Sequence, residues 1–278
     1  MKLIAKGIVV LLAIICVLPV LFIITGAFMG NEELLGILSP VLIKEEGYAA
    51  WHFIPLYPTL RNLVELLFDT PEYYVLFWNS IKIVVCILVG QMVFAVPAAW
   101  GFAQSREKWT TAVFLIYIFC MLLPFQVTML SQYLILNSLS MINTQLSLIV
   151  PMVFSTFPVF IIYSCFKQMP VSVIEAAQLD GAGKMRIFLS MAIPIGAKGI
   201  LAAMILGFLE YWNMVEQPVV FLEDMKKWPL SVYLPEFEAD MIGRAFTFSM
   251  FSIIPALVVF ALGRNILADG IAISGGDE

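Results

Sequence analysis

The 278-residue chain is 62% hydrophobic and 13% charged, with a mean hydropathy of +0.97, whereas a water-soluble domain is typically about half apolar and a quarter charged. Too few polar side chains are present to cover a folded surface in water, so the length is divided into bilayer crossings rather than soluble domains. The net charge of −5, from 20 acids and 15 bases, comes with no basic tract, which removes nucleic acid as an expected partner.

Read from the amino end, Lys2 and Lys6 precede an uncharged run over residues 7–29. That run matches the thickness of a bilayer and exceeds the apolar core of a signal peptide, so it predicts an uncleaved first span at 7–28. An outer loop follows over 30–74, with Glu32, Glu33, Glu45, Glu46, Trp51, Tyr57 and the only histidine, His52, which is read as solvated. A second span is predicted over 75–102, with Lys82 and Gln91 inside it, and a short basic connection over 104–110 carries Arg106 and Lys108. The stretch 109–166 has no Asp, Glu, Lys or Arg; its polar run 137–145 splits it into spans at 112–136 and 146–166, where Gln126, Ser131 and Gln132, like Gln91, are either pore-lining candidates or helix-packing groups. Further spans are predicted at 200–220 and 245–262, separated by an outer loop over 221–244 with Glu223, Asp224, Trp228 and Glu236. The expected fold is therefore a single all-α polytopic domain over 1–278 with six transmembrane helices, since each crossing must satisfy its own backbone hydrogen bonds.

Pro97, Pro124, Pro151, Pro158 and Pro255 fall within these spans and are expected to kink them. Cys16, Cys86, Cys120 and Cys165 lie singly in apolar runs, without metal-ligand spacing, and read as lipid-facing or helix-packing residues. Basic residues set the orientation: Lys2, Lys6, Arg106, Lys108, Lys167, Lys184, Arg186, Lys198 and Arg264 on one side, against Lys44, Arg61, Lys82, Lys226, Lys227 and Arg244 on the other. The majority places both termini in the cytoplasm.

Residues 167–198 form an inner connection far longer than a turn requires. The core reads EAAQLDGAGKMRIFLSMAIP from Glu175 to Pro194. Pro170 and Ser172 suit a helix start, Glu175 is expected in the first turn, Ala176 and Ala177 are small helix formers, and Gly181 and Gly183 interrupt. The pattern describes a short helix on the inner face with a smooth Ala–Ala patch, either a docking helix for another protein or an amphipathic helix on lipid head groups.

These residues resemble the EAA loop of ABC-importer permeases, with Glu175, Ala176, Ala177, Gly181 and Pro194 at the motif positions and Met191 and Ile193 at its two aliphatic positions. The resemblance extends in order through FWNSIKIVV from Phe77, LPFQVTML from Leu123, FKQMPVSVIEAAQLDGAG from Phe166 and FLEYWNMVEQPVVFL from Phe208, and is closest to the carbohydrate permeases similar to the second subunit of maltose-type systems. It implies import of a sugar or oligosaccharide by an assembly of this chain, a second related permease, a cytoplasmic ABC ATPase dimer and an external solute-binding protein. By that carry-over the coupling helix between the fourth and fifth spans enters a groove of the ATPase, with Glu175, Ala176, Ala177, Asp180, Gly181 and Pro194 as coupling residues.

No enzyme activity and no cofactor are expected in this chain; ATP and magnesium would be bound by the partner ATPase. The only Gly-Lys pair, Gly183-Lys184, is followed by Met185 and does not make a phosphate loop. For the solute path, Glu210 falls ten residues into the fifth predicted span, with Asn213 and Gln217 at i+3 and i+7 as one polar stripe. Trp212 offers a stacking face, and Gln126 is a further candidate. The alternative for Glu210 is a packing role, paired with Lys82. A permease for a non-sugar solute, an ion-coupled carrier built on Glu210 and Lys82, and a structural scaffold are the competing functional readings.

Overall fold

The structure, a computed structural model, describes residues 2–42, 48, 52–233 and 241–275. Lys44, Glu45, Glu46, Trp51 and Glu236 of the expected outer loops lie outside the described residues. The described residues form thirteen α-helices in order: α1 (Lys2–Gly26), α2 (Asn31–Leu42), α3 (Arg61–Phe68), α4 (Pro71–Gln104), α5 (Lys108–Met121), α6 (Phe125–Ser138), α7 (Leu146–Val153), α8 (Thr156–Lys167), α9 (Val171–Leu179), α10 (Lys184–Ile187), α11 (Ile193–Trp212), α12 (Glu216–Phe221) and α13 (Ile242–Gly275). Among the described residues, five stretches are long and apolar enough to cross a membrane, and α5 with α6 makes a sixth if that bent pair is one span.

Three expected spans differ from the helices found. The third, expected as one run over 112–136, is two helices meeting at 101°. Pro124 has no N–H to donate and disfavours helical backbone at Leu123, so it takes ψ 150° and caps a new helix. The fourth is interrupted at Phe154–Ser155, four residues before a proline ring, Pro158, that would strike the Phe154 carbonyl. The fifth helical stretch runs from Lys184 to Trp212 rather than over 200–220. Pro194 does not end it. The chain instead makes a π-turn over Phe188–Ala192, with Ile193 N–H donating to Phe188 O, and continues as α11. Pro97, Pro151 and Pro255 sit inside continuous helices.

The chain divides into two compact units. The first comprises Met1–Phe77 and Tyr233–Pro255. Its small core joins Phe22, Met29, Leu34, Ile37 and Ile242, and Phe22 meets Phe246 edge-on at 5.3 Å. Polar ties complete it: Asn62 Nδ2 donates to Met29 O at 2.8 Å, and Gly243 N–H donates to Asn31 Oδ1 at 2.9 Å.

His52, expected to be solvated, is instead part of a latch in this unit. Glu33 accepts hydrogen bonds from His52 Nε2 at 2.9 Å, Leu56 N–H at 2.8 Å and Tyr57 N–H at 3.5 Å. Burial raises the Glu33 pKa, but these hydrogen bonds and the nearby imidazole outweigh it and hold the carboxyl below the ordinary carboxylate value. A lowered folded-state pKa gives stability that is complete above the unfolded value of about 4.3 and disappears as pH falls through the folded one. The detergent-solubilised protein is therefore expected to lose melting temperature on acidification below about pH 4.3, and Glu33→Gln to flatten that slope. An unchanged acid limb in the variant would show that the latch contributes nothing.

The second unit comprises Trp78–Val232 and Ala256–Glu278. Its core is built from small and aromatic residues, including Ala95, Ala99, Ile162, Phe166, Ile174, Ala177 and Ala203. Apolar burial cannot drive helices together in lipid as it does in water, so close approach by small residues matters. Gly196 faces the Phe166 ring and Gly199 faces Cys165, with no room at either for a side chain. Cys16, Cys86 and Cys120 are exposed on the apolar surface and Cys165 is half-buried.

Candidate functional site

α9 is a nine-residue helix that starts at Val171, after Pro170 in extended backbone. Glu175 therefore lies in the second turn, not the first, and its charge does not serve the amino end of the helix. Ile174 and Ala177 are buried in the core of the second unit, while Ser172, Glu175, Ala176 and Leu179 are exposed. The latter four fall at i, i+3, i+4 and i+7 and share one face. The expected Ala–Ala patch is thus divided: Ala177 anchors the helix to its own chain and Ala176 looks outward. Leu179, at 89% exposure, is the most prominent apolar group on that face.

The end of α9 explains Gly181. Gly181 has φ +81°, its N–H donates to Gln178 O at 3.0 Å, and Ala182 N–H reaches back to Ala177 O at 2.9 Å. This is a Schellman cap, whose left-handed position favours glycine. Asp180 is the residue closing the helix before it and is exposed. Gly183 then starts α10.

Glu175 has a partner that its sequence position did not suggest. Arg106, on the connection between α4 and α5, places a guanidinium nitrogen 3.9 Å from Glu175 Oε1, with both side chains largely in solvent. At that length and exposure the pair contributes little stability. The buried Ile174 and Ala177 hold the helix, and the carboxylate remains open to a better donor.

The polar candidates of the fifth span are rearranged. α11 ends at Trp212, with Asn213 as its cap, and Gln217 belongs to the separate helix α12. Glu210, Asn213 and Gln217 therefore do not form one helical stripe, and Glu210 lies in the last turn rather than at mid-span. Glu210 and Asn213 are exposed, and Gln217 is half-buried. Asn213 Nδ2 donates to Leu209 O, on its own helix, at 2.8 Å. No ion pair joins Glu210 to Lys82 among the described residues. Trp212 is buried and stacked on Phe208 at 5.6 Å, so its ring packs the helix instead of offering an open stacking face. Gln126 is exposed and donates through Nε2 to Glu216 Oε1 at 2.7 Å, joining α6 to α12.

Two further amides are used within the chain. Gln91 is fully buried, donating through Nε2 to Met152 O at 2.8 Å and Tyr211 Oη at 2.7 Å, where it covers a carbonyl at the end of α7. Gln132 donates to Thr128 Oγ1 at 3.0 Å. The residue that sequence reasoning passed over is Asn143. It holds φ +58° and gathers the segment after α12 through four hydrogen bonds: N–H to Phe221 O, carbonyl from Lys227 Nζ, and Oδ1 from the Glu223 and Asp224 N–H groups. Its left-handed backbone is a position that Asn tolerates better than most residues.

No family model matches the chain. Among curated proteins, the diacetylchitobiose uptake system permease protein NgcG of Streptomyces coelicolor is 25% identical over 281 residues, covering 97% of this chain and 87% of that protein. The lactose transport system permease protein LacG of Rhizobium radiobacter is 27% identical over 72% of this chain and 75% of its own length. The arabinooligosaccharides transport system permease protein AraQ of Halalkalibacterium halodurans is 25% identical over 95% and 92%. The fold resembles a chain in the crystal structure of a bacterial ABC transporter involved in the import of the acidic polysaccharide alginate, with a TM-score of 0.81, 18% identity and 95% of both chains covered.

Proposed function

We propose, for a chain that belongs to the carbohydrate ABC importer permeases, that it forms half of a solute path through the membrane and takes its driving force from a separate ATPase gripping α9. The observation that carries this reading is the divided face of α9. Ile174 and Ala177 lock it to the membrane helices, while Glu175, Ala176 and Leu179 face outward beyond a glycine cap. A lever needs both properties: a rigid attachment to what it moves, and a free surface for what moves it.

In this reading the α9 side is cytoplasmic, as are both termini. The partners are an ABC ATPase dimer that binds ATP and magnesium, a second related permease in a heterodimer, and an external solute-binding protein. Glu175 pairs with a basic residue of the ATPase in place of Arg106, Ala176 allows close approach, and Leu179 fills an apolar socket. Asp180, Gly181 and Pro194 shape the exit from the helix and its continuation into α11. Sugar or oligosaccharide import is supported by the relatives, three of which are permeases for diacetylchitobiose, lactose and arabinooligosaccharides. Glu210, Asn213, Gln126 and Gln217 are the polar groups offered to solute hydroxyls.

Reconstitution tests the reading. Liposomes containing the assembly are expected to accumulate the receptor's sugar when ATP is supplied, without an ion gradient. Uptake by this chain alone on an imposed gradient would overturn it. Within the path, Glu210→Gln is expected to lower uptake about tenfold, the scale of one charge-assisted hydrogen bond of about 1.4 kcal/mol, at unchanged melting temperature. Normal uptake with reduced melting temperature assigns Glu210 to packing.

A further inference from the structure

A cavity of about 350 Å³ lies between the α4–α5 connection and α9. Gln104, Arg106, Lys167 and Gln178 give it a polar wall, and Val171 an apolar one. Its charges are unbalanced. Glu175 is the one carboxylate lining it and meets Arg106 only at 3.9 Å, while Lys167 makes no ion pair among the described residues.

The position in the fold limits what such a cavity can hold. Gln104 ends α4 and Lys167 ends α8, both membrane-spanning stretches, so the opening lies where hydrocarbon gives way to water. Trp109, 65% exposed on the neighbouring helix, is the residue type that settles at that level. Two cations beside an apolar wall at an interface suit a group that is itself anionic at one end and apolar at the other.

We propose that this cavity binds the phosphodiester head of an anionic glycerophospholipid. Arg106 takes two phosphate oxygens through its planar fork and Lys167 acts as a point charge. Gln104 and Gln178 meet head-group hydroxyls, and Val171 lies along the first methylenes of an acyl chain. Occupancy draws Arg106 away from Glu175 and leaves that carboxylate free. This last consequence rests on the coupling-helix reading above; the binding itself does not.

The test uses the purified full-length chain in nanodiscs of phosphatidylcholine with or without phosphatidylglycerol, with retained lipid read by native mass spectrometry. Wild type is expected to retain phosphatidylglycerol about tenfold over phosphatidylcholine, and the Arg106→Gln/Lys167→Gln double variant to lose that preference. Arg106→Lys, which keeps the charge but loses the planar fork, is expected to fall between the two. Equal retention in wild type and double variant overturns the proposal. Glycerol 3-phosphate binding to delipidated protein as tightly as phosphatidylglycerol also overturns it, assigning the cavity to a free phosphate ester. Because lipid retention is read on this chain, its result stands apart from co-purification of an ATPase, whose failure would sink the functional reading instead.

Discussion

Glu175→Lys is expected to abolish ATP-driven uptake while leaving the chain at normal abundance in the membrane. The side chain is exposed, and its pair with Arg106 is long and solvated, so folding loses little by the change. An ATPase that presents a basic residue meets repulsion in place of attraction. Gly181 provides the matching backbone test. Space around it is open, so a side chain there meets no neighbour, but its φ of +81° is strained for any residue with a Cβ. Gly181→Val is expected to cost about 1–2 kcal/mol at the cap, fraying the last turn of α9 that carries Leu179. Gly181→Asn, which enters the left-handed region more readily, is expected to retain substantial uptake. ATPase co-purification and sugar uptake together read this out. If Val and Asn behave alike at position 181, the cap is not what matters there. If Glu175→Lys still couples hydrolysis to uptake, α9 is not the lever.

The second large effect concerns the contact between α8 and α11. A Cβ added at Gly199 would collide with Cys165 Sγ and lie 2.7 Å from Cys165 Cβ, and one added at Gly196 would collide with the Phe166 ring. Neither clash is relieved by a flexible side-chain end, so the helices must separate. Gly199→Ala is expected to destabilise the chain by about 1–3 kcal/mol, seen as a lower detergent melting temperature and reduced membrane abundance. Since α9 follows directly on α8 and leads back into α11, uncoupling should accompany the loss. Cys165→Ala removes the closer clash and leaves the 2.7 Å one, so the double variant should recover part of the loss. A fully wild-type melting temperature for Gly199→Ala would falsify the close packing.

The two sites differ in how far they could be read beforehand. The Glu-Ala-Ala run, its glycine and the long connection around it located α9 because the capping requirement is local: only a few residues and one positive φ are involved. The inward turn of Ala177 was not local. Both alanines read as surface until Ile174 and Ala177 met the core of α8 and α11. Arg106 stands in a short basic connection noticed for its charge, yet 69 positions separate it from Glu175 (175 − 106), and no spacing rule spans that distance. The solute path suffered most. Glu210, Asn213 and Gln217 share a stripe only if one helix continues through them, and α11 stops at Trp212.

What the sequence by itself determined is everything that depends on composition and near neighbours. Apolar stretches of bilayer length, a chain unable to live in water, and a capped helix after the fourth crossing are all written within windows of about 20 residues, the scale on which lipid forces backbone hydrogen bonds to close. Tertiary structure alone decided where prolines became breaks and where they became bulges: Pro124 and Pro158 interrupt, Pro194 is absorbed by a π-turn, and Pro97 and Pro255 are carried through. It also decided which amides stay inside, with Gln91 given to Met152 and Tyr211 while Gln126 reaches Glu216 at the surface. The reason is common to all of them. A proline or an amide states only that a hydrogen-bonding group is missing or available, and where its partner lies is fixed by which helices pack together.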